Sequence, residues 1–564
     1  MDYISNYELW CNADLDESTQ KELELIKNDD QELKGRFGCD LQFGTAGMRG
    51  IMGAGCNRLN KYTVRRAAQG MAAWLKTTDL PQKAAIGYDS RHNSKLFAEV
   101  CAVAFAEKGI EVFIYDRLAP TPMLSFAVRA LECGCGIVIS ASHNAGAYNG
   151  VKCYGPDGCQ MTDEPAAIVT KNISKIPYFE KEKRSFDEYL SEGLIRYIDQ
   201  NVWEDYYKVV LAEAVNPEII RKAGLNIVYT PLCGTGNEPV RRVLGDLGVN
   251  INVVKCQENP DGDFKTCEYP NPETDAALNE SYKIADQVDC DVILGTDPDA
   301  DRVAIAVPDG KSYRKLSGNE LGCLLMEYIL KARAQLGDIP DGGIVVRSIV
   351  SSPLADRIAA RYGVDMKVVL TGFKYIGGEI LALEEKGLEK NYIFGFEESC
   401  GYLKGTYARD KDAVIASVLV CELAASLKLQ GKTIIDAIND LYNTYGYFLS
   451  YVQSVELTGA DAMDKAADLM SKFRSEPPKS IGGAEVTVIK DYKQRICRDL
   501  VSGAESAIDL PVSNVLEYVL GERGSMIVRP SGTEPKVKFY YTAVGADPSE
   551  AEELLAAMID QMKQ

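Results

Sequence analysis

Three times along this chain a short apolar strand runs straight into a loop of small, polar or charged residues. Residues 137–144 read IVISASHN, residues 292–302 read VILGTDPDADR, and residues 392–402 read YIFGFEESCGY. An apolar run of this length, cut off by turn-forming residues, predicts the end of a buried strand. Open α/β sheets carry their chemistry just beyond such strand ends. Before the first loop, a helical YTVRRAAQGMAAWLK leads to a strand AAIGYDSRHNS (84–94), then to a helical KLFAEVCAVAFAEKG and a strand EVFIYD. Strand–helix–strand alternation implies parallel pairing. A second such run starts at LNIVYTPLCGTGNEPV and a third with a helix over 317–335 followed by GGIVVRSIVSS. The expected fold is therefore α/β: three related α/β units with mixed sheets around a central cleft. A C-terminal α+β domain follows, built from the extended YVQSVELTG, helices, SMIVRPSGTEPKVKFYYTAVG and a last helix. The expected boundaries are 1–206, 207–316, 317–448 and 449–564. Residues 1–35 read as an acidic helical lead-in, and 165–222 as mostly charged helices closing the first domain.

Composition narrows the function. The 564 residues include 62 Lys plus Arg against 82 Asp plus Glu, a net charge of -20. That argues against a nucleic-acid or anionic-membrane partner, while leaving room for a local cationic pocket. The N-terminus lacks a basic start followed by an apolar core, and no 18 apolar residues run together. Neither a signal peptide nor a spanning helix is expected. The 16 cysteines are scattered without paired C-x-x-C motifs, as for free thiols in a reducing cytoplasm. With only His92 and His143, a His-rich zinc site is excluded. Ser142 and His143 are neighbours in sequence, a poor arrangement for one to deprotonate the other.

The loops differ in chemistry. Asp297, Asp299 and Asp301 put three hard oxygen donors in one short turn, which suits Mg²⁺ and leaves space for a phosphate. An EF-hand would need Gly and Glu where Arg302 and Pro308 stand. A dehalogenase-type phosphatase also carries D-x-D after an apolar strand, but leaves the other motifs without a task. Arg302 can offset carboxylate charge or touch phosphate. Arg529, Ser531, Gly532 and Thr533, with Lys538 further on, form a set that can wrap a phosphate. Glu397 and Ser399 suit a reader of sugar hydroxyls. Lys374 adds a cation beside a small-residue turn, and Arg49 is the cation of the Gly-rich LQFGTAGMRGIMGAG. RDKD at 409–412 is read equally well as a surface ion-pair cluster.

Together these motifs resemble the α-D-phosphohexomutase superfamily, the phosphoglucomutase and phosphomannomutase enzymes, over residues 43–538. FGTAGMRG, GYDSRHNS, TGFKYIGG, FGFEESCGY and RDKDAV resemble its longer phosphoglucomutase branch, which includes phosphopentomutases. The resemblance implies a phosphoserine at Ser142, with Mg²⁺ held by Ser142, Asp297, Asp299 and Asp301. It puts Arg49, His143 and Lys152 beside the transferred phosphoryl, Glu397 and Ser399 at the sugar, and Arg529, Ser531, Gly532 and Thr533 at the distal phosphate. Arg302, Lys374 and Lys538 complete the expected substrate site. The expected reaction interconverts glucose 1-phosphate and glucose 6-phosphate in the cytoplasm, with glucose 1,6-bisphosphate as activator and intermediate. Phosphomannomutase or phosphopentomutase activity is the alternative, then a sugar phosphatase or a non-catalytic sensor. Lys152, with a depressed pKa, is the first choice for proton transfer and His143 the second. The chain departs from the pattern at Ala145, where Pro often follows SHN, and at Cys233, where His is common.

Overall fold

A computed structural model describes residues 2–44, 47–457, 462–531 and 536–562. It divides into two units: Met1–Ser317 with Ile376–Phe394 and Ser399–Gly431, and Gly318–Tyr375 with Gly395–Glu398 and Lys432–Gln564.

The first unit opens with three short helices, Tyr3–Cys11, Glu17–Ile26 and Asp30–Phe37, each capped by an aspartate side chain at its N-terminus. Its first sheet contains Gly47–Ile51 (β1), Lys83–Tyr88 (β2), Glu111–Ile114 (β3), Cys135–Ile139 (β4), Tyr148–Tyr154 (β5) and Ile195–Tyr197 (β6), in the order β1-β5-β4-β2-β3-β6. The β2, β3 and β4 strands are parallel, as the alternation predicts, and β5 returns antiparallel to β4. One reading is corrected here. The strand expected over 84–94 stops at Tyr88, because Asp89–Asn93 turn before the helix Ser94–Ala106. The charged stretch 165–222 is mostly helical, as expected, with β6 adding itself to the sheet beside β3.

The second sheet repeats the plan. Asn226–Thr230 (β7), Asn250–Val253 (β8) and Val292–Thr296 (β9) are parallel, and Val303–Asp309 (β10) and Ser312–Lys315 (β11) follow antiparallel. In both sheets the chemically loaded loop joins the last parallel strand to its antiparallel neighbour. The central strands β4 and β9 are buried along their whole length, which is why they read as unbroken apolar runs.

In the second unit, Ile344–Ser348 (β12) pairs in parallel with Asp365–Val369 (β13). Further along the chain, Tyr392–Glu397 (β14) leads through 398–400 to Gly401–Leu403 (β15), so the strand–loop–strand order occurs a third time. The C-terminal part carries a seven-stranded antiparallel sheet running from Tyr447–Glu456 to Lys536–Gly545. Where helices were expected before SMIVRP, the described residues hold the α-helix Ala462–Ser475 and a single 3-10 turn at Gly521–Arg523, and short strands fall between 480 and 519. Among the described residues no single helix is long and apolar enough to cross a membrane, and no disulfide joins the cysteines.

Candidate active site

Ser142 lies three residues beyond β4, at a backbone φ of +52°. An L-residue adopts that left-handed conformation only where its surroundings impose it. Its backbone N–H donates to Ser140 Oγ (2.8 Å), and its own hydroxyl donates to Asp297 Oδ2 (2.7 Å). The positive φ also brings His143 Nδ1 to 3.3 Å from Ser142 Oγ. Sequence adjacency therefore does not separate the two side chains as expected. Burial, with Arg302 and Arg49 adding to it, pulls the His143 pKa well below the usual imidazole range.

The metal-loop aspartates occupy the tight turn between β9 and β10. Asp297 Oδ1 accepts the N–H groups of Asp301 (3.2 Å) and Arg302 (3.0 Å), so the first aspartate folds the turn that presents the others. Gly234 packs beneath it, where a Cβ would stand 2.4 Å from Pro298 Cα. Thr121, at the start of the helix Thr121–Ala130, donates its N–H to the Asp299 carbonyl and its hydroxyl to Asp299 Oδ2, both at 2.9 Å.

Antiparallel return places Lys152 of β5 across from Val138 of β4 and Gly47 of β1. Its ammonium reaches Asp299 Oδ2 at 2.5 Å and Asp301 Oδ2 at 2.9 Å. Burial works to lower the Lys152 pKa, but Asp299 and Asp301 outweigh it and hold the pKa above the ordinary lysine value. The expected depression is thus corrected, because two carboxylates pair with the ammonium. Lys411 supplies a further cation, 2.8 Å from Asp301 Oδ2. The cluster Arg409–Asp412 is buried throughout, not the surface group its charges resemble.

Three carboxyls share a few ångströms. Burial, Asp301 and Asp299 push the Asp297 carboxyl well above its usual range. For Asp301, burial is outweighed by Lys152, Lys411 and Arg302, which hold it well below. One donor atom from each aspartate lies within 4.8 Å of the others. Asp299 Oδ1 and Asp301 Oδ1 are buried and accept no hydrogen bond among the described residues. Buried acceptors are rarely left unpaired, and hard oxygens at this spacing fit Mg²⁺.

Arg49 on β1 donates to Asn144 Oδ1 (2.9 Å), which joins it to the Ser142 loop. Arg302 donates to Glu273 Oε1 (3.4 Å) and the Ser399 carbonyl (3.3 Å). Ser142, His143, Lys152, Arg49, the three aspartates, Arg302 and Ser399 all belong to the first unit.

The second unit carries the other predicted residues. Glu397 is buried, and its Oε1 accepts the Gly372 N–H at 2.8 Å, two residues from Lys374. Arg529 and Lys538 face each other across paired strands, and the Ser531 N–H donates to the Lys536 carbonyl at 2.8 Å. Gly532 and Thr533 lie outside the described residues. Tyr540, which the motif reading missed, lies close to both loops. Burial pushes its phenol up to about 12, with Glu398 and Glu397 adding to the shift and Arg529 opposing it. Its apolar neighbours in KVKFYY conceal it as a strand residue.

Family models match the chain over most of its length. Residues 40–179, 204–310 and 317–445 match the phosphoglucomutase/phosphomannomutase alpha/beta/alpha domains I, II and III, and 484–561 match the C-terminal domain. The chain belongs to the phosphoglucomutase/phosphomannomutase family. It is 38% identical over 541 residues to a phosphoglucomutase of Staphylococcus epidermidis, covering 94% of this chain and 95% of that one. A phosphoglucomutase/phosphomannomutase family protein from Burkholderia thailandensis shares the fold at a TM-score of 0.67 and 18% identity, over 92% of this chain and 96% of the other. Aspergillus fumigatus N-acetylphosphoglucosamine mutase, solved with GlcNAc-6P and magnesium, aligns at a TM-score of 0.51 and 16% identity, over 97% and 99%. As a phosphoglucomutase/phosphomannomutase family member, the chain is a phosphotransferase mutase.

Proposed function

We propose that this mutase interconverts glucose 1-phosphate and glucose 6-phosphate, with Ser142 as the phosphoryl carrier. The observation that carries the reading is Ser142 Oγ, buried at the head of the Asp297–Asp299–Asp301 loop and 2.7 Å from Asp297. In the first half-reaction the bond between phosphorus and Ser142 Oγ breaks as one to a sugar hydroxyl oxygen forms, giving a bisphosphorylated sugar. In the second, the other phosphate returns to Ser142 Oγ, and the opposite sugar monophosphate leaves. His143, held neutral, is free to take the hydroxyl proton, whereas Lys152 Nζ is engaged by two carboxylates. Mg²⁺ held by Ser142 and the three aspartates would offset negative charge on the phosphoryl oxygens. Arg49, Lys152 and Arg302 contribute fixed positive charge there.

Glu397 and Ser399, with Lys374, are assigned to the sugar. Arg529, Ser531, Gly532, Thr533 and Lys538 are assigned to the phosphate that is not being transferred. On this reading the functional segments are 1–206, 207–316, 317–448 and 449–564, and glucose 1,6-bisphosphate primes the enzyme. Cysteines not joined in disulfides fit a cytoplasmic enzyme. The relative solved with GlcNAc-6P and magnesium supports a phosphorylated sugar and Mg²⁺ as ligands.

A coupled assay tests the proposal: glucose 1-phosphate, Mg²⁺ and trace glucose 1,6-bisphosphate, following glucose 6-phosphate and free phosphate together. Glucose 6-phosphate without phosphate release is expected, with turnover lost on chelation and in Ser142→Ala. Phosphate without isomer would overturn it in favour of a phosphatase. Higher kcat/KM with mannose or ribose 1-phosphate would reassign the sugar.

A further inference from the structure

Arg91 is almost wholly enclosed, yet it touches neither the aspartate loop nor any predicted substrate residue's side chain. Its Nη1 donates to the carbonyls of Ala145 (2.8 Å) and Tyr148 (3.0 Å). Its Nη2 donates to the Ser142 carbonyl at 2.6 Å and also to that of Asn144. One guanidinium thus gathers four carbonyls of the seven-residue stretch from Ser142 to Tyr148.

The group is itself fixed from behind. Asp89 Oδ2 lies 3.4 Å from Arg91 Nε, with both side chains fully enclosed. Asp89 Oδ1 accepts the Arg91 N–H (2.9 Å) and the Ser94 hydroxyl (2.7 Å). Ser94 Oγ in turn accepts from Asn149 Nδ2 at 2.9 Å, and the Gly150 N–H donates to Asn149 Oδ1 at 2.7 Å. The Phe264 ring covers the guanidinium, its centre 5.0 Å away. The network therefore begins on the turn after β2, crosses the Ser142 loop and ends on β5.

Such a network answers a specific need. Ser142 stands in a left-handed conformation that relaxes unless neighbouring contacts over-determine it. A planar fork with five donors can hold several carbonyls in fixed directions, which a single ammonium cannot. We infer that Arg91, backed by Asp89, is a positioning residue that holds Ser142 Oγ in line for phosphoryl transfer. This rests on the reading of Ser142 as carrier. A displacement of about 1 Å at a reacting atom can cost on the order of 100-fold in rate.

The test uses the full-length enzyme loaded with labelled phosphate by glucose 1,6-bisphosphate. The measured quantity is the rate constant for single-turnover discharge to glucose 1-phosphate, which does not depend on the fraction of molecules folded. Arg91→Lys should slow discharge about 100-fold with KM within about threefold of wild type. Asp89→Asn, which can keep the Oδ1 acceptor but removes the charge and puts an amide donor where Oδ2 faces Arg91, should slow it about tenfold. Added guanidinium ion should accelerate Arg91→Ala but not Arg91→Lys. Discharge by Arg91→Lys within threefold of wild type would overturn the positioning role and leave the carrier reading intact. Wild-type enzyme that takes no phosphate on Ser142 would instead remove the carrier reading. Loss of soluble protein in Arg91→Ala leaves the Lys and Asn variants to decide.

Discussion

Asp297 and Asp301 are four residues apart on one turn, yet their surroundings give them opposite tasks in the metal-free protein. Asp301 faces Lys152 at 2.9 Å and Lys411 at 2.8 Å. It stays ionised because those cations outweigh burial. Asp297 has burial and two neighbouring aspartates against its charge, and keeps its proton more readily. Removing one partner from a buried ion pair strands the other, at a cost of about 3–5 kcal/mol. Asp301→Asn should therefore lower the thermal midpoint in EDTA by several degrees. Asp297→Asn should cost less, because burial and the neighbouring aspartates already work against the Asp297 charge. Titration calorimetry with Mg²⁺ should show weakened binding in both. Equal loss of stability in EDTA would contradict this division of charge.

At the scale of the element, the helix Ala413–Leu429 shows how burial governs both legibility and pH response. Its sequence, AVIASVLVCELAASLKL, is apolar on every side, and the helix is buried from Ala413 to Ala425. Asp412 caps it: Oδ1 accepts the Val414 N–H at 2.7 Å, and Oδ2 accepts the hydroxyls of Tyr206 (2.8 Å) and Tyr407 (2.6 Å). Burial nevertheless pushes this carboxyl from 3.8 up to about 6. The folded state thus holds the proton more tightly than the unfolded chain. Its stabilising contribution is complete below about pH 4 and is lost as pH rises through 6, by at most about 3 kcal/mol. Thermal unfolding of wild type against Asp412→Asn should show the wild-type advantage declining between pH 4 and 7; a flat difference would refute it. The same physics separates what the sequence discloses from what it hides. The central strands β4, β9 and β14 are announced by local apolar runs, and the aspartate turn by its own spacing. Lys411 is hidden because RDKD reads alike at a surface and in a core until Asp301, distant in sequence, is brought to it. Arg91 is hidden because carbonyl partners leave no side-chain signature. The strands between 480 and 519 are two to four residues long, too short for alternation to register.

For the molecule as a whole, the segment boundaries drawn from motifs do not coincide with the boundaries of shared cores. Within the second unit, Ile349, Val350 and Leu370, which follow β12 and β13, belong to one buried cluster with Tyr492, Ile508, Val515, Ile527 and Tyr540. The latter five come from the C-terminal part, so the third α/β segment and the C-terminal sheet stabilise each other. A chain ending at 448 would keep every motif through RDKD but strip the cover from Ile349, Val350 and Leu370. Exposing each of these costs about 1.5–3 kcal/mol, a large share of the net stability of an ordinary domain. The truncated chain should therefore bind a hydrophobic dye and elute as larger species in size-exclusion chromatography. In the full-length chain, Val350→Asp should lower the unfolding midpoint of residues 480–545, followed by hydrogen exchange, although the substitution lies outside them. A truncated chain that stays monomeric and binds no dye would mean that the third segment completes its core without the C-terminal sheet.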